Sequence, residues 1–450
     1  MKKVFAVICC LTLLAVKMTQ AQDVELAPIE LLEQKNEDLD NRLKVLEKFK
    51  ISGYIQAQWQ YAQPNAALGT NMKVGDSFNE NLYDDESYSR LGVRRGRIKL
   101  AYEEGIASGV IQLDATEKGI AFKDVYLNIK DPWWQTNALR TGIFDRPFGY
   151  EISYSSSRRE SPERSAIFQT LFPEERDLGA ALYLQAAKTS PLSFIRLDAG
   201  LFSGNGIKPE MDSRLDFIGH LYATKNIGSN AKYGIGVSYY NGGVLQENKN
   251  VYKMVDNAFV LSSDSAANFR KYAKREYFGV DGQFSIITAA GMTKLHVEYL
   301  FGQQPGTKAS SKSPNAGIIP DGIKKMNPNL SANDTYIRNF GGGYVMLTQD
   351  IGNLPFTVVL KYDWYDPNTK VSGNEVGKNG TGFADLAQNT FGFGAFWRAN
   401  KNIRLTAYYE INRYEKSDLS YQYSYSNEAK AVLINDLNRN VFTLRLQYRF

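Results

Sequence analysis

The chain has 450 residues, among them 28 tyrosines and 24 phenylalanines, and its mean hydropathy is −0.37. Beyond the amino terminus it contains no run of about 18 apolar residues, so a helical membrane span is unsupported. Setting aside Lys2, Lys3 and Lys17 of the amino-terminal segment leaves 50 basic residues against 48 acidic ones, so overall charge gives no reason to expect a nucleic-acid partner.

Residues 1–21 have the order of a secretory signal. Lys2 and Lys3 precede an apolar run, and Thr19-Gln20-Ala21 provides small residues for cleavage after Ala21. Both cysteines of the chain lie inside this segment, so the mature protein has no thiol for a disulfide or a metal-thiolate site. We expect no cofactor.

Residues 22–48 predict a periplasmic coiled-coil stalk. Apolar positions step by three and four, and a polar residue at one a position is typical of a register-fixing asparagine. The a positions are Ile29, Asn36 and Leu43, and the d positions are Leu32, Leu39 and Leu46. A single amphipathic helix lying against a barrel rim is the alternative, because fewer than three full heptads are present.

Residues 49–450 change to a period of two, which predicts strands. In the last strand, VFTLRLQYRF, apolar side chains alternate with polar and cationic ones, so one face needs an apolar medium and the other needs water. A transmembrane antiparallel β-barrel provides both. The segments with this alternation are 51–60, 90–102, 107–116, 121–130, 138–145, 178–187, 193–202, 214–224, 232–240, 275–287, 292–302, 338–349, 355–365, 388–398, 402–413 and 439–450.

Connections between these segments alternate between short turns and mostly long, polar loops. Outer-membrane barrels have short periplasmic turns and longer extracellular loops. We therefore predict an all-β barrel of sixteen strands in the outer membrane of a Gram-negative bacterium, in contact with its lipid bilayer. Eighteen strands is the alternative, since a long loop can contain a further hairpin.

Two groups of cations are candidates for lining the lumen. The second strand carries Arg95, Arg97 and Lys99 at alternate positions, whereas Arg94 has the wrong parity unless a bulge or the strand end turns it. Guanidinium groups bind oxyanions through paired hydrogen bonds, so such a track favours small anionic solutes. The third long loop, a candidate to fold inward, supplies the second group: Arg158, Arg159, Arg164 and Arg176. Charges paired within the lumen wall, or a solvated surface loop, are the alternatives.

Several fragments, in this order and spacing, resemble the outer-membrane porins grouped as phosphate-selective porins O and P. They are ISGYIQAQWQ at 51–60, VRRGRIKL at 93–100, FKDVYLNIK at 122–130, TGIFDRPFGYE at 141–151, PERS at 162–165 and FPEERDLGA at 172–180. The resemblance implies a sixteen-stranded homotrimeric anion channel with an inward third loop. It also implies a phosphate constriction formed by Arg94, Arg95 and Arg164, with Asp124 as its acidic member.

Three other functions compete with this interpretation. An outer-membrane hydrolase needs a nucleophile near a base, but no nucleophile motif accompanies His220 or His296, so we expect no enzymatic activity. A non-conducting adhesin barrel would explain the long loops. A nonselective diffusion porin would agree with the nearly neutral overall charge.

Overall fold

The computed structural model describes residues 28–63, 87–208, 210, 212–246, 248–312, 334–425, 428–433 and 439–450. The predicted signal sequence lies outside these residues. No described helix is both long and apolar enough to cross a membrane. The chain divides between Phe49 and Lys50 into two units.

The first unit contains one described helix, α1, at Pro28–Glu47. Its sequence favours a helix because leucine, glutamate and lysine dominate it and proline stands at its first position. Asp38 and Arg42, one turn apart, form an ion pair at 3.2 Å. The d-position leucines Leu32, Leu39 and Leu46 are all more than half exposed in the single chain. The coiled coil therefore stays a prediction that partner helices would have to complete.

The second unit is almost entirely β-structure. Its described strands are β1 Phe49–Ala62, β2 Tyr88–Glu104, β3 Ala107–Thr116, β4 Gly119–Lys130, β5 Ala138–Asp145, β6 Arg176–Gln185, β7 Ile195–Phe202, β8 Asp216–Ile227, β9 Ala231–Leu245, β10 Val251–Val255, β11 Ala258–Ser263, β12 Tyr272–Thr288, β13 Gly291–Gly306, β14 Thr335–Asp350, β15 Phe356–Asp366, β16 Gln388–Arg398, β17 Ile403–Tyr414, β18 Ser420–Tyr425, β19 Glu428–Leu433 and β20 Val441–Arg449.

Sixteen of these strands close into a barrel, as predicted. The last strand closes the wall, because β20 pairs antiparallel with both β1 and β17. The remaining four strands form two hairpins in outer loops, β10–β11 and β18–β19. Hairpins hidden in loops were the basis of the eighteen-strand alternative. Neither hairpin interrupts the closed wall. Strand β9 pairs directly with β12, and β18–β19 forms a separate two-stranded sheet, whereas β10 adds a short parallel pairing to the start of β14.

The wall has two chemically distinct faces. In β20, Leu444, Leu446 and Tyr448 are exposed on the outside, whereas Arg445 and Gln447 are buried in the lumen. This is the alternation predicted from the sequence. It matches a wall with lipid outside and polar groups inside.

The long third outer loop, residues 146–175 (loop 3), folds into the barrel. Its short helix α2, Ala166–Leu171, contributes buried apolar side chains. The loop 3 side chains Phe148, Ile152, Ile167, Phe168, Leu171 and Phe172 pack with wall residues that include Phe202, Tyr240, Tyr277, Leu300, Phe340, Tyr344, Tyr365 and Tyr408. Each large apolar side chain buried here contributes about 1.5–3 kcal/mol. Loop 3 therefore packs an apolar cluster against strands of the wall from β7 to β17, and open space remains between the loop and β1–β6.

Candidate functional site

Loop 3 is fixed to the far wall of the lumen by polar contacts. The Glu298 carboxylate on β13 accepts hydrogen bonds from the backbone N–H groups of Tyr150 and Glu151, both at 3.0 Å. The Lys361 ammonium group on β15 donates to the Glu151 carboxylate at 3.0 Å. These contacts join the loop to strands that are distant in sequence, so its position is determined by the whole barrel.

On the opposite side, one loop 3 carboxylate joins three arginines. Arg94 donates to both oxygens of Glu163 at 2.8 Å, Arg445 donates at 2.9 Å and Arg95 at 3.2 Å. Burial by itself raises the pKa of Glu163, but the three neighbouring positive charges outweigh it and hold that pKa well below its usual range. Glu163 is therefore ionised at neutral pH, and its single negative charge is shared by three positively charged arginines.

Arg94 and Arg95 reach the same carboxylate because the alternation of β2 changes between them. Leu91 is 81% exposed and Ile98 is 43% exposed, although these two positions have opposite parity. A local irregularity of this kind places two successive side chains on one face of a strand, as β-bulges do. The inward position of Arg94, which strict alternation excludes, follows from this change.

Ion pairs surround the narrow space between loop 3 and the wall. Burial raises the pKa of Glu175, but the positive charges of Arg164 and Arg176 outweigh this effect and hold that pKa well below its usual range. The pairs are Arg97 with Asp114 at 3.0 Å, Arg176 with Asp124 at 2.8 Å, and Arg164 with Glu175. We call these six residues the constriction.

Two cavities adjoin the constriction. The outer cavity has a volume of about 400 Å³, and eight cationic and five acidic side chains line it. The inner cavity has a volume of about 580 Å³, with seven cationic and two acidic side chains in its lining. Arg97 and Arg164 line both cavities. A solute passing from one cavity to the other would therefore meet these two guanidinium groups.

The structure brings eight of the nine predicted site residues to these cavities. Arg95 lines the outer cavity, Arg97 both and Lys99 the inner one, so the predicted track extends across the constriction. Arg94 lines the outer cavity, Asp124, Arg158 and Arg176 line the inner one, and Arg164 lines both.

Arg159 is the exception, because it lines neither of these two cavities. Its guanidinium is buried and donates to the backbone carbonyl groups of Ser161 at 3.4 Å and Pro162 at 3.2 Å. Burial, together with the positive charge of Arg164, lowers the pKa of Arg159 to about 10. This arginine supports the fold of loop 3, which is a correction to its predicted place in the lumen lining.

Lys123 also lines the outer cavity, although it is not among the site residues predicted from the sequence. The pairing of β3 with β4 shifts between Gln112 and Leu113, so Lys123 is an extra residue in β4. In the part of the chain that the structure describes, no carboxylate lies within ion-pair distance of Lys123. The signal was present in the sequence, because apolar residues change parity between Phe122 and Val125.

The two histidines occupy packed positions in the wall. The His220 imidazole lies 2.8 Å from the Asp281 carboxylate and stacks on Tyr222. His296 packs against Tyr150 of loop 3, with ring centroids 4.9 Å apart. Among the described residues, no group of three or more potential ligands could hold a metal ion.

No protein-family model matches this chain, and no curated protein matches it. Solved structures do match. An anion-selective porin from Comamonas acidovorans is 10% identical with a TM-score of 0.50, covering 89% of this chain and 99% of the porin. OmpF of Salmonella typhi, in complex with daunomycin, is 10% identical with a TM-score of 0.50, covering 89% of this chain and 97% of OmpF. At this identity the likeness shows a porin fold.

The location follows from the architecture of the barrel. A closed, sixteen-stranded antiparallel wall with an apolar outer face and a polar lumen is the form of outer-membrane barrels. The protein is therefore an outer-membrane barrel of a Gram-negative bacterium.

Proposed function

We propose that this chain forms a water-filled outer-membrane channel through which small solutes diffuse passively, with a preference for anions. The barrel fold supports a channel, and the two cavities that meet at Arg97 and Arg164 support a passage through it. The resemblance to phosphate-selective porins agrees with this proposal. Phosphate-like oxyanions are the solutes that its arginines suit best.

The observation that carries the anion preference is the local excess of positive charge. Cationic side chains outnumber acidic side chains by three around the outer cavity and by five around the inner cavity, whereas the chain outside its amino-terminal segment is nearly neutral. Selectivity depends on charges near the ion, because fields at physiological ionic strength decay over about 8 Å. The walls around the constriction therefore matter more than the net charge of the protein.

The carboxylates of the constriction favour permeation over tight binding. Arg97 donates through Nε to Asp114 and through Nη1 to the Ser156 hydroxyl at 3.2 Å, so an arriving anion must compete with partners already present. Conduction requires a site that is favourable enough to enter and weak enough to leave. Paired arginines meet both requirements, because they attract an oxyanion without holding it permanently.

A homotrimer is the assembly that we propose. The leucines of α1 at the heptad positions are exposed in the single chain, and parallel helices from other copies would bury them. The tethered barrels would raise the effective concentration of these short helices, which compensates for their length.

The zero-current potential of the reconstituted channel under a KCl gradient tests the function. We expect the sign of this potential to indicate that chloride permeates more readily than potassium. Replacement of Arg97 by glutamine should lower the chloride-to-potassium permeability ratio by roughly threefold to tenfold. Lys188→Gln is the matched control, since Lys188 lies in an exposed turn outside both cavities. Cation preference would refute the proposal, a potential near zero would favour a nonselective porin, and absence of current would favour an adhesin.

A further inference from the structure

A side chamber opens under loop 3, away from the constriction. It has a volume of about 230 Å³ and lies between loop 3 and the wall strands β8, β9, β12 and β13. We call it the aromatic chamber; its lining includes Tyr150, Tyr154, Gln283, Met292, Lys294 and His296. A cavity of roughly 150 Å³ is large enough for benzene, so this chamber has room for one small ring.

Aromatic side chains determine the shape of this chamber. Tyr150 and Tyr154 stack with their ring centroids 5.1 Å apart at an angle of 26°. His296 meets both rings edge-on, at 4.9 Å and 5.7 Å. Stacked and edge-to-face arrangements are the geometries in which a further aromatic ring would be bound.

His296 also has an unused polar atom. The side chain is only 6% exposed, and its Nδ1 has no hydrogen-bond partner among the described residues. A buried polar atom without a partner costs free energy.

A second, cationic chamber adjoins the aromatic one and shares Tyr154 and Lys294 with it. Its volume is about 400 Å³, and six cationic side chains but only one carboxylate line it. That carboxylate, Glu160, accepts a hydrogen bond from Lys294 at 3.3 Å, so a bound anion would share Lys294 with it. The cations are Arg158, Lys294, Arg398, Lys401, Arg404 and Arg449.

Two of these cations lie against one aromatic ring, and one of them, Arg398, also pairs with Asp350 at 3.0 Å. The guanidinium groups of Arg398 and Arg404 each lie 5.2 Å from the centre of the Phe396 ring. The Nε of Arg404 is buried without a hydrogen-bond partner in the described structure. This arrangement concentrates positive charge beside Lys294, at the junction of the two chambers.

We propose that the two chambers together bind a monocyclic aromatic carboxylate. The ring occupies the aromatic chamber against Tyr150 and His296, and the carboxylate lies at Lys294, facing the cationic chamber. Neither half alone specifies this ligand: an inorganic anion would not use the rings, and a neutral aromatic compound would not use the charges. The site deepens the proposed channel function by naming a solute class, but binding at it does not require that the channel conduct.

Isothermal titration calorimetry with the full-length protein in detergent tests this proposal. Benzoate is the probe, with acetate as the comparison that lacks a ring and benzyl alcohol as the one that lacks a charge. We expect benzoate to bind at least about tenfold more tightly than either. His296→Leu and Tyr150→Leu should each weaken benzoate binding by about tenfold, and Lys294→Gln should weaken benzoate binding but not benzyl alcohol binding.

Lys188→Gln removes a cation from an exposed turn and should leave benzoate binding unchanged. Equal binding of benzoate and acetate would overturn the proposal, as would benzoate binding that is unaffected by Lys294→Gln, at a side chain that is 35% exposed and pairs with the buried Glu160. Calorimetry measures no current, so absence of benzoate binding would not count against anion conduction, which the zero-current potential tests separately. If the channel binds benzoate but prefers cations, only the proposed anion preference is refuted.

Discussion

The substitution Glu163→Gln tests whether loop 3 is held by charge. Glu163 is 8% exposed, and three arginines donate to its carboxylate at distances between 2.8 and 3.2 Å. Glutamine has nearly the same shape and keeps one acceptor oxygen. The change therefore removes one negative charge and leaves Arg94, Arg95 and Arg445 close together without it.

Breaking a buried ion pair by removing one partner costs about 3–5 kcal/mol, because the remaining charges stay buried without compensation. We expect the free energy of unfolding to fall by this amount. We also expect the zero-current potential to move toward stronger chloride preference, since the lumen gains one net positive charge. A decrease in stability and an increase in selectivity from one substitution distinguish this account from a general loss of structure.

The measurement is equilibrium unfolding in guanidinium chloride of the barrel in lipid vesicles, followed by zero-current potentials of the same preparations. Glu174→Gln is the matched control for stability, because Glu174 lies in the same loop but is exposed. Its effect on stability should stay within about 0.5 kcal/mol. A loss below about 1 kcal/mol for Glu163→Gln would refute the reasoning, since it would mean that the three arginines are already solvated.

Four further outcomes are expected. Lys123→Gln should lower the chloride-to-potassium permeability ratio by at least about twofold without affecting assembly, as zero-current potentials and native electrophoresis would show. Arg164→Ala should lower anion selectivity and make loop 3 more sensitive to protease, because the guanidinium also donates to two loop carbonyl groups at 3.0 Å. The difference in free energy of unfolding between wild type and Glu163→Gln should be constant above about pH 5. It should shrink only as the pH falls from the ordinary pKa of a glutamate through the depressed pKa of Glu163 in the folded state, which unfolding curves at several pH values would measure. Leu39→Asp with Leu43→Asp should weaken trimers in chemical cross-linking while the single-channel conductance stays unchanged.

The barrel could be predicted because its strands carry a strong signal. Each wall strand must be apolar outside and polar inside, and this requirement imposes an alternation that is visible in single segments such as 441–450. Turn lengths supplied the second signal, since periplasmic turns are short. Strand number and location follow from these two patterns.

The details of the constriction were harder to predict because bulges break the alternation. The inward position of Arg94 and the place of Lys123 both depend on a change of parity within a strand. Arg159 could not be placed for a different reason. Nothing in the sequence distinguishes a loop arginine that faces the lumen from one that supports the loop backbone. The aromatic chamber depends on contacts between loop 3 and strands that are distant in sequence, such as that of Glu160 with Lys294, 134 residues apart, which no local pattern encodes.

The central claim is that the two cavities form one passage at Arg97. Replacing Arg97 by cysteine and adding a negatively charged methanethiosulfonate reagent tests it directly, because Cys9 and Cys10, the natural cysteines of the chain, lie in the predicted signal sequence. We expect the chloride current to fall when the reagent is added from either side of the membrane, while Lys188→Cys shows no change. A current that persists although Arg97→Cys is fully modified would contradict a passage at this residue.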